Sequence, residues 1–416
     1  MEGEITFLGA QISPSLGILG RLILIEPNYK MVIIAFNMFL GVWTFSLYIH
    51  QIESYLVPLG LVFNSLLIST ISISPFLYSG LILEIAVIVS IPILIGRTEK
   101  KFKGIARYLI NFSVGMVFIL LAGWYLAGGE ISPINDEQLI QATLILGLGF
   151  VFWLAVFPVH SWIPILSEEI SPVNSFYVLI LLPLATMILL LKYLNGFSWL
   201  RSFSIVYDAL GLFGSIMCFT GAIWAIFQKN IRRTAGYLVL FSSGLILISL
   251  SLSTLNGYIL ATHLFLHRFI VLTMLAWMII ILENNFQDQD LRRFEGSFYE
   301  FPMIISGLIV SLFSLIGMPL TPGFPIIQAL IASASEINFL SAMTLFASML
   351  ILSINFIRWI YFFTKSEYQQ RVSIENKKII YFTAVFLLLC LVVGLFPSKT
   401  YSAFESIISG YEFLVQ

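Results

Sequence analysis

Residues 301–334 read FPMIISGLIVSLFSLIGMPLTPGFPIIQALIASA, an apolar run interrupted at its centre by Gly317-Met318-Pro319-Leu320-Thr321-Pro322-Gly323. A helix rises about 1.5 Å per residue and the hydrocarbon core of a bilayer is about 30 Å thick, so this run is too long for one straight crossing. Two prolines that cannot donate a hydrogen bond and two glycines free to leave helical geometry stand at its middle. The run therefore predicts a discontinuous helix broken at Gly317, Pro319, Pro322 and Gly323. Irregular backbone at membrane depth is tolerated only where it is buried in protein or lines a wet cavity, so the break marks the working interior of a membrane protein. Pro183 interrupts residues 171–193 and predicts a second discontinuity.

The rest of the chain agrees. Hydrophobic residues make up 59% of the 416 and charged residues 10%, against about 25% charged in a typical soluble domain. Apolar runs between charged or Gly/Pro-rich stretches predict about twelve spans, near 31–50, 55–73, 75–96, 104–128, 137–158, 171–193, 204–227, 234–252, 257–282, 301–334, 338–363 and 379–396. The fold class is thus an all-α polytopic membrane protein, with residues 1–30 as an extramembrane or interfacial segment and 31–416 as one transmembrane domain. The longest polar segment, about 283–300, reads as a connecting loop. Arg97, Lys100, Lys101, Lys103 and Arg107 form one basic cluster, Lys229, Arg232 and Arg233 a second, and Lys365, Arg371, Lys377 and Lys378 a third. All three fall on one side, which the positive-inside rule assigns to the cytoplasm or its organellar equivalent. The acidic Glu130, Asp136 and Glu137 and both termini fall on the other.

Several function classes drop out. A net charge of −1 with no basic cluster interleaved with aromatics argues against nucleic-acid binding. Glu2 and Glu4, with no basic n-region, do not make a cleavable signal peptide. Cys218 and Cys390 lie within apolar spans and read as small core residues, with no disulfide or metal framework. No nucleotide-binding loop and no cysteine cluster for an iron–sulfur centre is present, so redox chemistry or ATP hydrolysis would have to come from other subunits.

Ionisable residues inside spans are costly and are functional candidates by default. They are Glu84, His263, His267, Arg268 and Arg358. Glu84 reads either as a proton-carrying or cation-pairing carboxylate or as one hydrogen-bonded at a helix interface. His263 and His267 are four residues apart and share a helix face; with no third ligand in view, that spacing suits proton relay or interhelical hydrogen bonding better than a metal. Arg268 and Arg358 each need a helix contact or a carboxylate at that depth.

Phe157-Pro158-Val159-His160-Ser161-Trp162-Ile163-Pro164, followed by Ser171-Pro172-Val173, resembles the Phe-Pro-x-His-x-Trp-x-Pro…Thr-Pro-Val segment of the antiporter-like membrane subunits of respiratory complex I, a family that includes the multisubunit cation/proton antiporters and the membrane-bound hydrogenases. Asn230-Ile231-Arg232-Arg233-Thr234-Ala235-Gly236-Tyr237 resembles the family's Asp-x-Lys-Arg-Leu-x-Ala-Tyr, and His263-Leu264-Phe265-Leu266-His267-Arg268-Phe269 its His-x-x-x-His-Ala-Phe. Asp290-Leu291-Arg292 with Gly296 and Pro302, and Ser311 through Phe324, resemble the loop and helix break that follow. Five segments in one order over about 75–360 make the resemblance specific.

The resemblance implies two inverted repeats, about 75–193 and 204–363, each with one broken helix. Gly20-Arg21-Leu22-Ile23-Leu24-Ile25-Glu26-Pro27 is similar to the family's third helix, so the chain would lack about two N-terminal helices. In the family a Glu of the fifth helix, matched by Glu84, pairs with a Lys in the first broken helix, and further lysines continue the line. Here those lysines fall at Leu184, Val271 and about Ile327, with Lys192 two turns past Leu184 near the membrane edge. Apolar side chains cannot carry a proton. The resemblance implies a membrane-arm subunit of a complex I-like NAD(P)H or ferredoxin:quinone oxidoreductase. Such a subunit either moves protons through Glu84, His263 and His267, with Arg232 near the mouth, or serves as a structural and coupling element. NAD(P)H or ferredoxin, flavin, iron–sulfur clusters and quinone would reside in other subunits, and the partners would be membrane subunits and lipids of an energy-converting membrane: bacterial or archaeal, mitochondrial inner, or thylakoid. The alternatives are a cation/proton antiporter or membrane-bound hydrogenase subunit, a stand-alone secondary transporter, and a membrane anchor for a soluble enzyme.

Overall fold

A computed structural model of the chain describes residues 5–7, 10–12, 15–18, 21–24, 29–50, 55–74, 78–95, 102–127, 136–365, 375–408, 411 and 414. Glu2, Glu4, Ile25, Glu26, Pro27, Arg97, Lys100, Lys101, Glu130 and Arg371, and the side chain of Asp136, lie outside the described residues.

The helices are α1 (Lys30–His50), α2 (Leu56–Ser72), α3 (Ser79–Ile95), α4 (Lys103–Ala127), α5 (Asp136–Trp153), α6 (Trp162–Glu169), α7 (Pro172–Gly196), α8 (Ser198–Ser202), α9 (Ser204–Phe227), α10 (Ile231–Ser251), α11 (Leu255–Phe286), α12 (Ser297–Glu300), α13 (Pro302–Leu315), α14 (Gly323–Ile337), α15 (Phe339–Thr364), α16 (Lys377–Leu395) and α17 (Pro397–Ile408). Among the described residues, eight are long and apolar enough to cross a bilayer alone. With α2, α3 and two crossings each made of two shorter pieces, α5–α6 and α13–α14, chain order gives the expected twelve. Short polar residues start several of them: Asn230, Thr254 and Asn338 each accept a hydrogen bond from a backbone N–H of the first turn of α10, α11 and α15, as favoured N-caps do.

Small strands precede the helices. β1 (Ile5–Phe7) pairs with β2 (Ala10–Ile12), and β3 (Ser15–Ile18) with β4 (Arg21–Leu24), which in turn pairs with β5 (Ile73–Ser74) between α2 and α3. Arg21–Leu24 is therefore extended rather than the start of a helix, because its backbone groups are taken by the two neighbouring strands. Among the described residues, the first helix starts at Lys30.

The first discontinuity differs in place. α7 runs unbroken through Pro183; the break lies between α5 and α6, where Ala155 takes a left-handed φ of 55° and Phe157-Pro158 is cis. A proline inside a helix removes one donor and kinks it, whereas a left-handed residue followed by a proline turns the chain out of the helix. The second break falls where expected, with Gly317 at φ 66° and Leu320 at 67° between α13 and α14. The broken crossings are the fifth and the tenth.

Packing explains the layout. α7 is buried on every side and α10 and α11 nearly so, while α4 and α16 are mostly peripheral. Apolar burial does not hold helices together in lipid, where the alternative is equally apolar; close packing and polar links do. Cys218 and Cys390 are free, buried core thiols. α11 continues to Phe286, so Glu283 belongs to the helix rather than to the connecting loop that follows.

Candidate functional site

The second break is closed by side chains. His267 on α11 meets Ser314 at the end of α13, its Nε2 lying 3.1 Å from Oγ and 3.2 Å from the carbonyl oxygen. The same Ser314 Oγ accepts from the backbone N–H of Gly323 at 3.0 Å, on the far side of the break. One histidine and one serine thus tie the two half-helices together. Gly394 of α16 lies against the Leu320 carbonyl and completes the cover.

His263 shares the helix face as expected but serves another partner: its Nε2 is 3.7 Å from Glu405 Oε1 on α17. The two histidines do not converge on one point.

Arg268 sits at the centre. Its guanidinium is fully buried; Nη1 donates to Ser242 Oγ at 2.6 Å, Ser243 Oγ at 3.0 Å and the Val239 carbonyl at 3.4 Å, all on α10. Nη2 donates to the Leu179 carbonyl on α7 at 2.8 Å. Pro183 explains that acceptor: standing four residues after Leu179, it has no N–H to give, so the carbonyl is free for a donor from outside the helix. Pro183 thus creates a docking point for Arg268. Among the described residues Arg268 has no acidic partner.

Arg358 also takes a helix contact. Nη1 donates to the Ile226 carbonyl at 2.5 Å, at the C-terminal end of α9, with the guanidinium 5.8 Å from the Phe362 ring centre. Lys192 does likewise for α2, donating to the carbonyls of Ile71 at 2.7 Å and Ile73 at 3.2 Å. Cations at helix C-termini offset the carbonyl dipoles there, so Lys192 is committed at the membrane edge.

Glu84, partly buried on α3, accepts from Ser113 Oγ on α4 at 2.5 Å. One turn earlier Gly80 packs on the Trp153 ring, which also lies against Gly115 of α4 and donates from Nε1 to the Phe112 carbonyl at 3.1 Å. Because the first break lies after Trp153, an indole packs on Gly80, one turn before Glu84, and Leu184 stands in an unbroken helix instead. Leu184, Val271 and Ile327 are all fully buried among apolar side chains.

The basic side carries a clamp. Arg232 Nε donates to both oxygens of Glu283, at 2.7 and 2.9 Å, and its Nη1 to the Ile170 carbonyl at 3.2 Å. Arg233 reaches Glu168 on α6 at 3.1 Å. From the other flank, Glu169 Oε2 accepts from Gly104 N at the start of α4 at 2.6 Å, and Arg107 donates to Ser161 Oγ at 3.2 Å. The short helix α6 is therefore held from both α4 and α10. Glu283, Ser314, Trp153 and the α6 glutamates escape sequence reading. Glu283 stands one residue beyond the predicted span end, Trp153 reads as one more apolar residue, and a lone serine carries no pattern.

The family model described as NADH:quinone oxidoreductase/Mrp antiporter, TM, matches residues 77–353. Over 249 residues the chain is 24% identical to NADH-ubiquinone oxidoreductase chain 5 of Balaenoptera physalus, a match covering 57% of this chain and 40% of that protein. It is 26% identical over 294 residues to NADH-quinone oxidoreductase subunit N 1 of Chloroherpeton thalassium, covering 66% of this chain and 61% of the relative. The chain thus spans between two fifths and three fifths of these relatives. Its fold is that of a chain in respiratory complex I from Thermus thermophilus, with a TM-score of 0.79 at 16% identity over 92% of this chain and 85% of that one.

Proposed function

The chain belongs to the NADH:quinone oxidoreductase/Mrp antiporter transmembrane family, and from that membership we propose that it is a membrane-arm subunit of a complex I-like assembly in an energy-converting membrane. Electrons would pass from NAD(P)H or ferredoxin through flavin and iron–sulfur clusters to quinone in other subunits, and this chain would support redox-coupled proton translocation. Its role there is to brace and couple neighbouring membrane subunits. It does not carry protons itself. One observation supports that choice: an indole, Trp153, packs on Gly80 one turn before Glu84, and Leu184, Val271 and Ile327 are buried and apolar where a relay would need titratable groups. Residues of about 75–193 and 204–363 are its two repeats, joined through Arg268 and the α6 clamp.

The test is purification of the tagged full chain from its native membrane in mild detergent. Several membrane subunits together with flavin- or iron–sulfur-bearing ones are expected. Recovery as a monomer or homodimer would overturn the proposal in favour of a stand-alone secondary transporter, and partners without redox subunits would favour a cation/proton antiporter. In the assembled complex, Glu84→Gln is expected to leave the protons moved per electron pair unchanged, read by dye quenching in inverted vesicles; a severalfold fall would return this carboxylate to a proton path.

A further inference from the structure

We propose that Arg268 is a permanent positive charge placed at the joint between the two halves of the chain, and that it closes the chain's interior to protons and metal cations. The inference rests on the reading of the chain as a subunit of a membrane assembly and adds a property to it. Three observations carry it. The guanidinium is fully buried and is held by α10 through Ser242, Ser243 and Val239 and by α7 through Leu179. Its Nε is buried with no hydrogen-bond partner, and no carboxylate lies within ion-pair distance among the described residues. Its charge is therefore solvated by neutral oxygens and left uncancelled.

A guanidinium does not release its proton under physiological conditions, so Arg268 cannot serve as a relay in the way a buried lysine can. A fixed charge in a medium of low dielectric repels any second cation that approaches it, which is how an arginine in a narrow pore excludes protons and cations. The hydroxyls and carbonyls that would otherwise order a water file, Ser242, Ser243 and the Leu179 oxygen, are already occupied by the guanidinium. The carbonyl freed by Pro183 shows that the α7 backbone accommodates this contact, and the apolar Leu184 one residue after Pro183 offers no alternative carrier.

The test uses the complete assembly in vesicles holding a pH-sensitive dye, with no electron donor and a valinomycin-clamped potassium potential driving passive proton entry. Arg268→Gln keeps a donor for the serines and removes the charge; it is expected to raise proton entry about threefold or more over wild type, as loss of an electrostatic barrier would. Arg268→Lys, which keeps a charge on one nitrogen but can titrate, is expected to fall between the two. Proton entry at the wild-type rate in Arg268→Gln vesicles with a full set of subunits would overturn the proposal and leave Arg268 a plain structural tie. Should Arg268→Gln fail to assemble, Arg268→Lys decides: a rate above wild type in a complete assembly supports the proposal, and the wild-type rate overturns it. Subunit composition is read separately on a gel, so a wrong assembly would sink the reading above while the comparison between variants stands.

Discussion

Gly323→Ala is expected to strip the chain from the assembly proposed for it. A Cβ at that position would lie 1.8 Å from the Ser314 carbonyl oxygen and 3.0 Å from His267 Nε2. Backbone cannot yield as a flexible side chain would, so the two half-helices would have to part, breaking the Gly323–Ser314 and His267–Ser314 contacts together. Overpacking a core usually costs about 1–3 kcal/mol, and the loss of buried hydrogen bonds about 1–3 kcal/mol more. Native gel electrophoresis of detergent extracts should show the proposed assembly without this chain. Ser314→Ala, which removes the hydroxyl and adds no bulk, should give a smaller effect, read as a lowered melting temperature of an otherwise complete assembly. A Gly323→Ala subunit that assembles and melts as wild type would show that the break is not closed by this contact.

Arg232→Met is the second large effect. It leaves the Glu283 carboxylate, 6% exposed, without the cation that holds both its oxygens. Removing one member of a buried pair costs about 3–5 kcal/mol, whereas replacing both by apolar residues is often close to neutral. The expected order of melting temperatures is therefore wild type, then Arg232→Met/Glu283→Leu, then Arg232→Met alone. Part of the loss remains in the double variant because the bond to the Ile170 carbonyl is gone in both. Equal melting of single and double variants would show that the pair is not coupled.

The spans were legible because a bilayer imposes a length on whatever crosses it: the run predicted at 104–128 is the helix Lys103–Ala127. The second break was legible too, since Gly317 can leave helical geometry freely and Pro319 and Pro322 lack the N–H a continuous helix needs. The first was not. Its turn is made by Ala155 at left-handed φ, a residue that is ordinarily helical, while Pro183, the obvious breaker, is absorbed into α7 because Arg268 supplies a donor to the carbonyl it strands. Arg268 and Arg358 were legible as needing partners, but their partners are carbonyls and hydroxyls, which leave no charge pattern in a sequence. Lys192 was placed at the membrane edge from sequence; its duty at the end of α2 came only from the fold of β5 beneath it.

The hold on α6 has a mechanical meaning. A transporter that exposes its centre first to one side and then to the other needs two bodies able to rock about a shared axis. Here α6, threaded with the first half of the chain, is fastened by Arg232 and Arg233 to the second half at the basic surface, and Arg268 adds a rivet deeper in. Ties at one face oppose such rocking. Fastened at two depths, the two parts of the chain resist rocking against each other, which fits the proposed bracing role.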